Sequence, residues 1–144
     1  MGAIKLSDIS VMPLSRIERI GGDVLHAIKN TENGYVGFGE AYFSWVSTGI
    51  IKAWKLHKRM TMNLIVPFGQ VKFVFCCINE NGKKEFRVEE IGEDCYARIT
   101  VPPGVWFGFQ GIGLKNLVLN VASIPHNTEE VERLFVSDIS YVWG

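Results

Sequence analysis

Lys55 and His57 are the residues of this chain whose types and spacing are best suited to proton chemistry. They lie two positions apart in Ile50–His57, which is predicted as a strand, so their side chains point to one face about 6 to 7 Å apart. A lysine that loses hydration in an apolar site has a lowered pKa and can act as a base or a Schiff-base nucleophile. An imidazole has an intrinsic pKa suited to proton transfer. We predict that the two residues form an acid–base pair; the alternatives are that Lys55 binds an anion or pairs with a carboxylate, and that His57 is structural.

Seven further side chains are candidates for a site built around this pair. His126 follows a predicted strand end, where it could reach over the mouth of a barrel as a third catalytic group or cap a following helix. Lys52 and Arg98 are cations suited to phosphate contacts, with solvated surface charge as the alternative. Tyr42 could donate a phenolic proton, with core packing as the alternative. The predicted substrate contacts are Lys52, Arg98, Asn63, Asn120, Tyr42 and Trp106.

Short runs rich in Val, Ile, Phe, Tyr and Trp alternate with Gly and Pro, a cadence that indicates many strands and few helices. The turn residues Asn30–Gly34 predict a hairpin between Val24–Lys29 and Tyr35–Phe38, and Asn79–Gly82 predicts another. Ser15–Arg19 is predicted as a single turn. The remaining strands are predicted at Tyr42–Val46, Ile50–His57, Met62–Val66, Val71–Ile78, Glu85–Ile91, Ala97–Val101, Val105–Phe109 and Leu117–Ala122.

One helix is predicted, at Asn127–Leu134, where Thr128 could cap the first turn. Three glutamates then lie near the positive end of the helix dipole: Glu129, Glu130 and Glu132. About ten strands with one short C-terminal helix predict an all-β barrel or sandwich.

Strand alternation predicts which side chains share the interior. If Lys55 and His57 face inwards, Trp54 and Leu56 face outwards. The other interior side chains are predicted to be Ile51, Ala53, Met62, Leu64, Val66, Val105, Phe107 and Phe109. The interior is therefore an apolar chamber with a lysine and a histidine at its base. The outward Trp54, Leu56 and Trp106 would leave an apolar surface, which predicts cover by another sheet or subunit and hence a homodimer.

The composition of the 144 residues is that of a globular protein, and we expect one domain spanning residues 1–144. The 15 Lys and Arg balance the 15 Asp and Glu, so nucleic acid is not an expected partner, and neutrality favours self-association. No apolar run is long enough to span a membrane. Because Met1–Lys5 lacks the pattern of a signal peptide, we expect a cytoplasmic protein without membrane contact.

The stretch Gly49–Gly69 resembles the first sequence motif of the cupins, G-x5-H-x-H-x4-E-x6-G, in which both His and the Glu point into a small β-barrel. Those three positions hold Lys55, His57 and Met62 here, and the fourth ligand position, in the motif P-x-G-x2-H, holds Phe107. The resemblance implies a cupin fold, which is a double-stranded β-helix or jelly-roll barrel. Because three of the four metal ligands are replaced, we expect no metal and no other cofactor.

The chain also resembles the dTDP-4-dehydrorhamnose 3,5-epimerase family over nearly its whole length, most clearly in K-A-W-K-L-H-K and P-P-G-V-W-F-G-F-Q-G. The resemblance implies a metal-free cupin homodimer that acts on a nucleotide-linked 4-keto sugar. It also implies a mechanism in which a base His removes a proton next to the keto group, a cation stabilises the enolate and a Tyr returns a proton to the other face.

The resemblance assigns these roles to positions of this chain. The family's base His corresponds to Lys55 and its preceding Arg to Lys52, while its enolate-stabilising Lys falls near Met62. Its second His falls on Phe107 and its acid Tyr falls near His126.

The sugar 3,4-ketoisomerases are a second similar branch, because their stretch R-G-x-H-A-H-K has the length of K-A-W-K-L-H-K and keeps one His at His57. The sequence therefore indicates three candidate functions. The first, which we predict, is an epimerase or isomerase of a nucleotide-linked 4-keto-deoxy sugar in surface polysaccharide or deoxysugar synthesis. The others are a non-catalytic sugar-nucleotide-binding barrel and a sugar-binding or structural cupin without a nucleotide partner.

Overall fold

Two five-stranded sheets face each other in the computed structural model, which describes residues 3–144. Met1 and Gly2, which belong to the segment Met1–Lys5 in which no signal peptide is predicted, lie outside the described residues. The strands are β1 (Ser10–Pro13), β2 (Arg16–Ile17), β3 (Val24–Leu25), β4 (Glu40–Ser47), β5 (Ile51–His57), β6 (Met62–Phe68), β7 (Gln70–Ile78), β8 (Lys84–Gly92), β9 (Ala97–Val101), β10 (Trp106–Gly111), β11 (Lys115–Ala122) and β12 (Val131–Arg133), with short 3-10 turns at Leu6–Asp8 and Val136–Asp138.

The first sheet has the order β1-β9-β6-β11-β4, and the second has the order β12-β5-β10-β7-β8. Neighbouring strands in both sheets are antiparallel. From β4 onwards the chain crosses to the other sheet at nearly every connection, which is the topology of a jelly roll. The predicted all-β architecture is confirmed, and β4 to β11 lie within two residues of their predicted ends.

The core lies between the facing sheets because apolar side chains alternate with outward ones along each strand. Met62, Leu64 and Val66 of β6 are buried in one cluster with Phe73 and Phe75 of β7. Burying a side chain of this size stabilises a fold by about 1.5–3 kcal/mol. Met62 and Leu64 also line a cavity, so the core continues directly into the walls of that cavity.

Residues 136–143 fold over the outer face of the second sheet. The Trp143 ring packs on the Trp54 ring with centroids 5.4 Å apart, and the Trp54 indole N–H donates to the Val136 carbonyl at 3.2 Å. These two rings belong to a buried cluster, the outer cluster, and Trp106 packs against it. Its other buried members are Val74, Cys76 and Ile139. The prediction that this outward apolar face needs cover is confirmed at Trp54 and Trp106, and residues 136–143 of this chain supply the cover.

This outer cluster requires a glycine at position 108 of β10. A Cβ atom on Gly108 would lie 2.4 Å from the Cβ of Ala53 and 3.2 Å from the Trp143 ring. A residue without a side chain therefore lets β10, β5 and Trp143 approach closely. The pairing of β10 with β5 also shifts register here, between Phe107 and Gly108.

The segment 26–38 lies against the outer face of the first sheet. The Asn63 side-chain amide donates to the Gly34 carbonyl at 2.9 Å. The buried Arg98 guanidinium donates to Glu32 at 3.2 Å and to the backbone carbonyl of residue 27 at 2.8 Å. The backbone carbonyls of residues 27 and 34 therefore accept hydrogen bonds from side chains of the first sheet.

The hairpin predicted from Val24 to Phe38 is wrong for that reason. Residues 35–38 are irregular, and only the turn at Asn30–Gly34 is as predicted. β3 pairs instead with β2, and β2 replaces the single turn predicted at Ser15–Arg19.

The helix predicted at Asn127–Leu134 is also wrong. The Asn127 side chain accepts a hydrogen bond from the Glu129 amide at 2.9 Å and closes a turn, after which β12 pairs with the edge of β5. The side chain of Glu130 is bound in the interior, and this tertiary contact overrides the helical charge pattern. Residues 3–144 contain no α-helix, and accordingly none that is long and apolar enough to cross a membrane.

Candidate functional site

A cavity of about 390 Å³ lies between the two sheets. One wall comes from β5, β10 and β12, and the facing wall comes from β4, β6 and β11. Lys55, His57, Met62 and Phe107 all line the cavity, so the predicted common chamber is confirmed. Among residues 3–144, none of the lining side chains is acidic and three are Lys or Arg. The cavity therefore favours an anionic ligand.

His57 and Glu130 form a buried pair in the wall of the cavity, where His57 Nδ1 is hydrogen-bonded to Glu130 Oε1. The other carboxylate oxygen accepts the backbone amides of Arg59 and Met60 at 3.0 and 3.2 Å. Burial by itself would raise the pKa of Glu130, but the hydrogen bonds from His57 and these amides outweigh it and hold the pKa below its usual value. The carboxylate is therefore ionised.

An ionised Glu130 fixes the tautomer of His57. The carboxylate accepts a hydrogen bond from the N–H group at Nδ1. Nε2 is therefore the nitrogen that can accept a proton from a molecule in the cavity. The His57 ring also stacks on Phe107 with centroids 6.0 Å apart, which fixes the plane of the imidazole. These contacts orient the imidazole as a general base.

Lys55 lines the cavity on the same strand as His57. Its register partners are Arg133 on β12 and Phe107 on β10. Burial and then the charges of Arg133 and Lys52 lower the pKa of Lys55. Within the described chain no carboxylate lies within ion-pair distance of its ammonium group, so the alternative that Lys55 pairs with a carboxylate is wrong.

Lys52 and Arg133 are exposed cations that also line the cavity, which places them at its opening. The Lys52 ammonium group donates to the Trp45 carbonyl at 2.8 Å and so bridges β5 to β4. Cations at the opening of an apolar cavity are suited to the charged end of a ligand whose uncharged part lies inside.

The interior set predicted for β5 is wrong at the start of the strand. Ile51 packs against the outer cluster, whereas Lys52 lines the cavity. The one-residue register shift between β5 and β10, at Phe107 and Gly108, lies between this part of β5 and Lys55. Such a shift moves the following side chains to the opposite face.

Tyr42 and Asn120 lie on the facing wall of the cavity, as register partners on β4 and β11. The Asn120 amide donates to the Tyr42 hydroxyl at 3.1 Å, and its carbonyl oxygen accepts the backbone amide of Asn63 at 3.2 Å. Asn120 is therefore held by the sheet and in turn holds Tyr42. A phenol that accepts a hydrogen bond keeps its own proton as a donor.

Four predicted site residues do not line the cavity. Asn63 and Arg98 bind the segment 26–38 on the outer side of the first sheet, and Trp106 packs in the outer cluster. His126 is exposed in the loop after β11, where its backbone N–H donates to the Glu40 carboxylate. Their predicted roles in catalysis or substrate binding are therefore not retained.

Three polar residues of the site, Ser44, Glu130 and Arg133, were not predicted from the sequence. Ser44 lies two positions from Tyr42 on the same strand, and alternation alone could have placed it in the cavity. Glu130 and Arg133 belong to the segment predicted as a helix. No local pattern joins them to β5, because their pairing is between distant parts of the chain.

No group of three or more His, Cys, Asp or Glu side chains within the described range is arranged to hold a metal ion.

No family model matches the chain. One curated relative, the spore coat polysaccharide biosynthesis protein SpsL of Bacillus subtilis (strain 168), is 26% identical over 128 residues. The match covers 87% of this chain and 85% of that protein.

Solved structures give the higher similarity. The dTDP sugar isomerase from Desulfovibrio desulfuricans G20 is 33% identical, with a TM-score of 0.87 over 94% of this chain and 90% of that one. A dTDP-4-dehydrorhamnose 3,5-epimerase from Elizabethkingia anophelis NUHP1 is 18% identical, with a TM-score of 0.78 over 99% and 84%. The sugar 3,4-ketoisomerase QdtA from Thermoanaerobacterium thermosaccharolyticum, in complex with TDP, is 17% identical, with a TM-score of 0.75 over 91% of each chain. The last two share the fold with this chain.

Proposed function

Because the chain belongs to the family of dTDP-sugar isomerases and epimerases, we propose that it epimerises a 4-keto-deoxy sugar linked to a nucleoside diphosphate. One observation carries this proposal. A carboxylate-oriented imidazole, His57 with Glu130, and an amide-held phenol, Tyr42 with Asn120, lie on facing walls of one cavity.

Proton transfer on two faces of the sugar follows from this arrangement. The keto group acidifies the neighbouring C–H bond, and His57 Nε2 removes that proton. The negative charge that develops on the keto oxygen is stabilised by the Lys55 cation. Tyr42 then returns a proton from the facing wall, which inverts the carbon centre.

These roles revise the pair predicted from the sequence. His57 is the base, Tyr42 takes the role of acid that the resemblance placed near His126, and Lys55 acts on the carbonyl. The revision rests on the hydrogen bond from Glu130, which orients His57 and has no counterpart at Lys55.

The nucleoside diphosphate is proposed to bind at the opening of the cavity. Lys52 and Arg133 are exposed there and can contact both phosphates, while the sugar lies between the apolar side chains inside. This class of ligand is supported by the TDP bound to QdtA and by the name of the dTDP sugar isomerase that is 33% identical.

Two other functions remain as alternatives. A 3,4-ketoisomerase is favoured by the stretch K-A-W-K-L-H-K, in which His57 occupies a His position of that branch. It could remove and return a proton on one face without the help of Tyr42. A non-catalytic sugar-nucleotide-binding barrel is favoured by Met62 and Phe107, which are apolar at polar positions of the family.

We also propose that the protein serves surface polysaccharide or deoxysugar synthesis, as the relationship to SpsL suggests.

We propose in addition that the protein is a homodimer. Phe43 and Trp45 on the edge strand β4 and Phe68 on β6 are 63%, 51% and 48% exposed. These three side chains, the β4 patch, are suited to cover by a second copy. The single domain 1–144 and the cytoplasmic location stay predictions.

Hydrogen exchange in heavy water tests the enzymatic function. With dTDP-4-keto-6-deoxyglucose as the probe, we expect the wild type to introduce solvent deuterium at C3 or C5. His57→Asn should abolish exchange, and the matched variant His126→Asn, outside the cavity, should retain it. Exchange that survives in Tyr42→Phe and comes with a shift of the keto group to C3 would identify the ketoisomerase. Binding without exchange in the wild type would leave only the non-catalytic barrel.

A further inference from the structure

We propose that Lys55 forms an imine with the keto carbon of the bound sugar, so that the proton is removed from an iminium ion and the intermediate is an enamine. The proposal rests on the proposed function, because it needs a keto sugar in the cavity. It goes beyond that function because it makes Lys55 a covalent catalyst instead of a cation that only stabilises charge.

The position of Lys55 in the fold supports this role. It lines the cavity between Arg133 of β12 and Phe107 of β10, and no carboxylate of the described residues lies within ion-pair distance to hold it as a cation. Its strand also carries the oriented imidazole of His57, two residues away. An amine and a base therefore face the same bound molecule, about 6 to 7 Å apart by strand rise.

The charged groups around Lys55 favour its neutral form. Lys52 and Arg133 are cations on β5 and β12, and the β10 side chains lining the cavity are Phe107 and Phe109. The facing wall contributes Tyr42 to the cavity lining and, in the part of the chain that the structure describes, no Lys, Arg, His, Asp or Glu. Burial and the two cations lower the pKa of Lys55, and a neutral amine is the form that attacks a carbonyl.

The facing wall leaves the keto oxygen without another cation. Met62, Leu64 and Val118 are apolar there. An enolate formed next to these groups would have Lys55 as its cation, because Lys52 and Arg133 lie at the opening of the cavity, whereas an iminium ion carries its positive charge on the reacting group itself. Covalent attachment therefore supplies the electron sink that this wall does not.

The steps balance without an oxidant or a reductant. The Lys55 nitrogen attacks the carbonyl carbon, the carbonyl π pair takes a proton, and the nitrogen loses one, which gives a carbinolamine. The hydroxyl group takes a second proton and leaves as water, and the nitrogen lone pair forms the iminium ion. His57 removes the neighbouring C–H proton, and that electron pair gives the enamine. Tyr42 returns a proton to the opposite face, and water releases the ketone and the amine.

Reductive trapping tests the imine directly. The wild type is incubated with dTDP-4-keto-6-deoxyglucose and cyanoborohydride, which reduces iminium ions in preference to ketones. We expect one covalent sugar-nucleotide adduct by intact mass, mapped to Lys55 by peptide analysis. Lys55→Arg keeps the positive charge but forms no imine, so it should lose both the adduct and at least 100-fold in the rate of deuterium exchange. The matched variant Lys58→Arg, on the exposed residue after the strand, should retain both.

Two results overturn the imine. Deuterium exchange by the wild type without any adduct, or exchange in Lys55→Arg near the wild-type rate, would leave the proposed epimerase standing with Lys55 as a cation. Absence of both exchange and nucleotide-sugar binding in the wild type would remove the proposed function and the imine together. A thermal melt of Lys55→Arg near that of the wild type shows that loss of the adduct is not loss of the fold.

Discussion

His57 and Glu130, which lie 73 residues apart in the chain, meet as a buried hydrogen-bonded pair in the wall of the cavity. The edge pairing of β12 with β5 brings them together, and two backbone amides hold the second carboxylate oxygen. The imidazole is therefore oriented by the C-terminal part of the chain, while its neighbour Lys55 is left without an acidic partner.

Glu130→Gln should lower the rate of deuterium exchange into the keto sugar by about 10²- to 10⁴-fold, because the amide no longer fixes the His57 tautomer that accepts a proton at Nε2. Sugar-nucleotide binding should change little, since Glu130 does not line the cavity. The rate is measured by NMR in heavy water. Glu129→Gln, on the exposed neighbouring residue, is the control. Exchange at the wild-type rate in Glu130→Gln would show that the pair is structural only.

Acid should remove the stability that Glu130 contributes. Its pKa in the folded protein lies below the ordinary value of 4.5, so the folded state binds the proton less tightly than the unfolded state. The contribution is complete above the unfolded pKa and is lost as the pH falls through the folded pKa. The difference in unfolding free energy between the wild type and Glu130→Gln should therefore shrink below about pH 4.5. Urea titrations at several pH values measure it, and a constant difference would contradict the prediction.

Lys55→Met should abolish deuterium exchange and stabilise the fold at pH 7. The folded pKa of Lys55 lies below its ordinary value of 10.5, so a charged Lys55 destabilises the folded state. This penalty is complete below the folded pKa and disappears as the pH rises towards 10.5. The urea midpoint should therefore rise at neutral pH, and the gain should shrink near about pH 10.5. Lys58→Met, at an exposed position, should show no such pH-dependent gain. A lower midpoint for Lys55→Met at neutral pH would count against burial of the ammonium group.

Trp143→Ala should destabilise the protein by about 3–5 kcal/mol, because it leaves the Trp54 ring uncovered and opens a cavity in the outer cluster. Val142→Ala is the control, since Val142 is 88% exposed, and it should change stability by about 0.5 kcal/mol or less. Urea unfolding measures both. Equal midpoints for the two variants would show that residues 136–143 do not hold this face.

Light scattering at micromolar concentration should give twice the mass of the chain. Trp45→Glu, which places a charge in the β4 patch, should shift the protein towards the monomer, because a buried unpaired charge is costly in an interface. Ile78→Glu, at an exposed apolar position of the other sheet, should leave the mass unchanged. A monomeric wild type would contradict the proposed dimer.

The strands could be predicted from the sequence because their signals are local. Runs of β-branched and aromatic residues mark β4 to β11, and Asn79–Gly82 marks the turn of a hairpin whose two strands pair as expected. The failures lie where distant side chains decide the backbone. Arg98 and Asn63 hold the segment 26–38 as an irregular cover, and Glu130 holds the segment that was predicted as a helix. Neither of these long-range contacts can be predicted from a local sequence pattern.

The candidate site could be predicted in part for the same reason. Strand alternation predicts the shared chamber of Lys55, His57, Met62 and Phe107 because the residues of β5 and β10 among them lie on one side of the register shift between Phe107 and Gly108. It failed at Ile51 because the register shift opposite Gly108 depends on the partner strand. Residues contributed by β12 could not be found, since β12 itself was not predicted. The cover that residues 136–143 give to Trp54 was not predicted either, so the sequence argument for a dimer started from a face that the chain itself covers.

Gly108 affects how a map of function from exhaustive mutagenesis of this protein has to be interpreted. Every substitution there adds a Cβ atom 2.4 Å from the Cβ of Ala53. Because Ala53 precedes Trp54 and lies two residues before Lys55, the clash displaces the strand that carries the reactive amine. Such a map will score position 108 as intolerant as the base itself, although glycine offers a substrate no group to touch. Comparing protein abundance with turnover for each variant separates this steric requirement from chemistry.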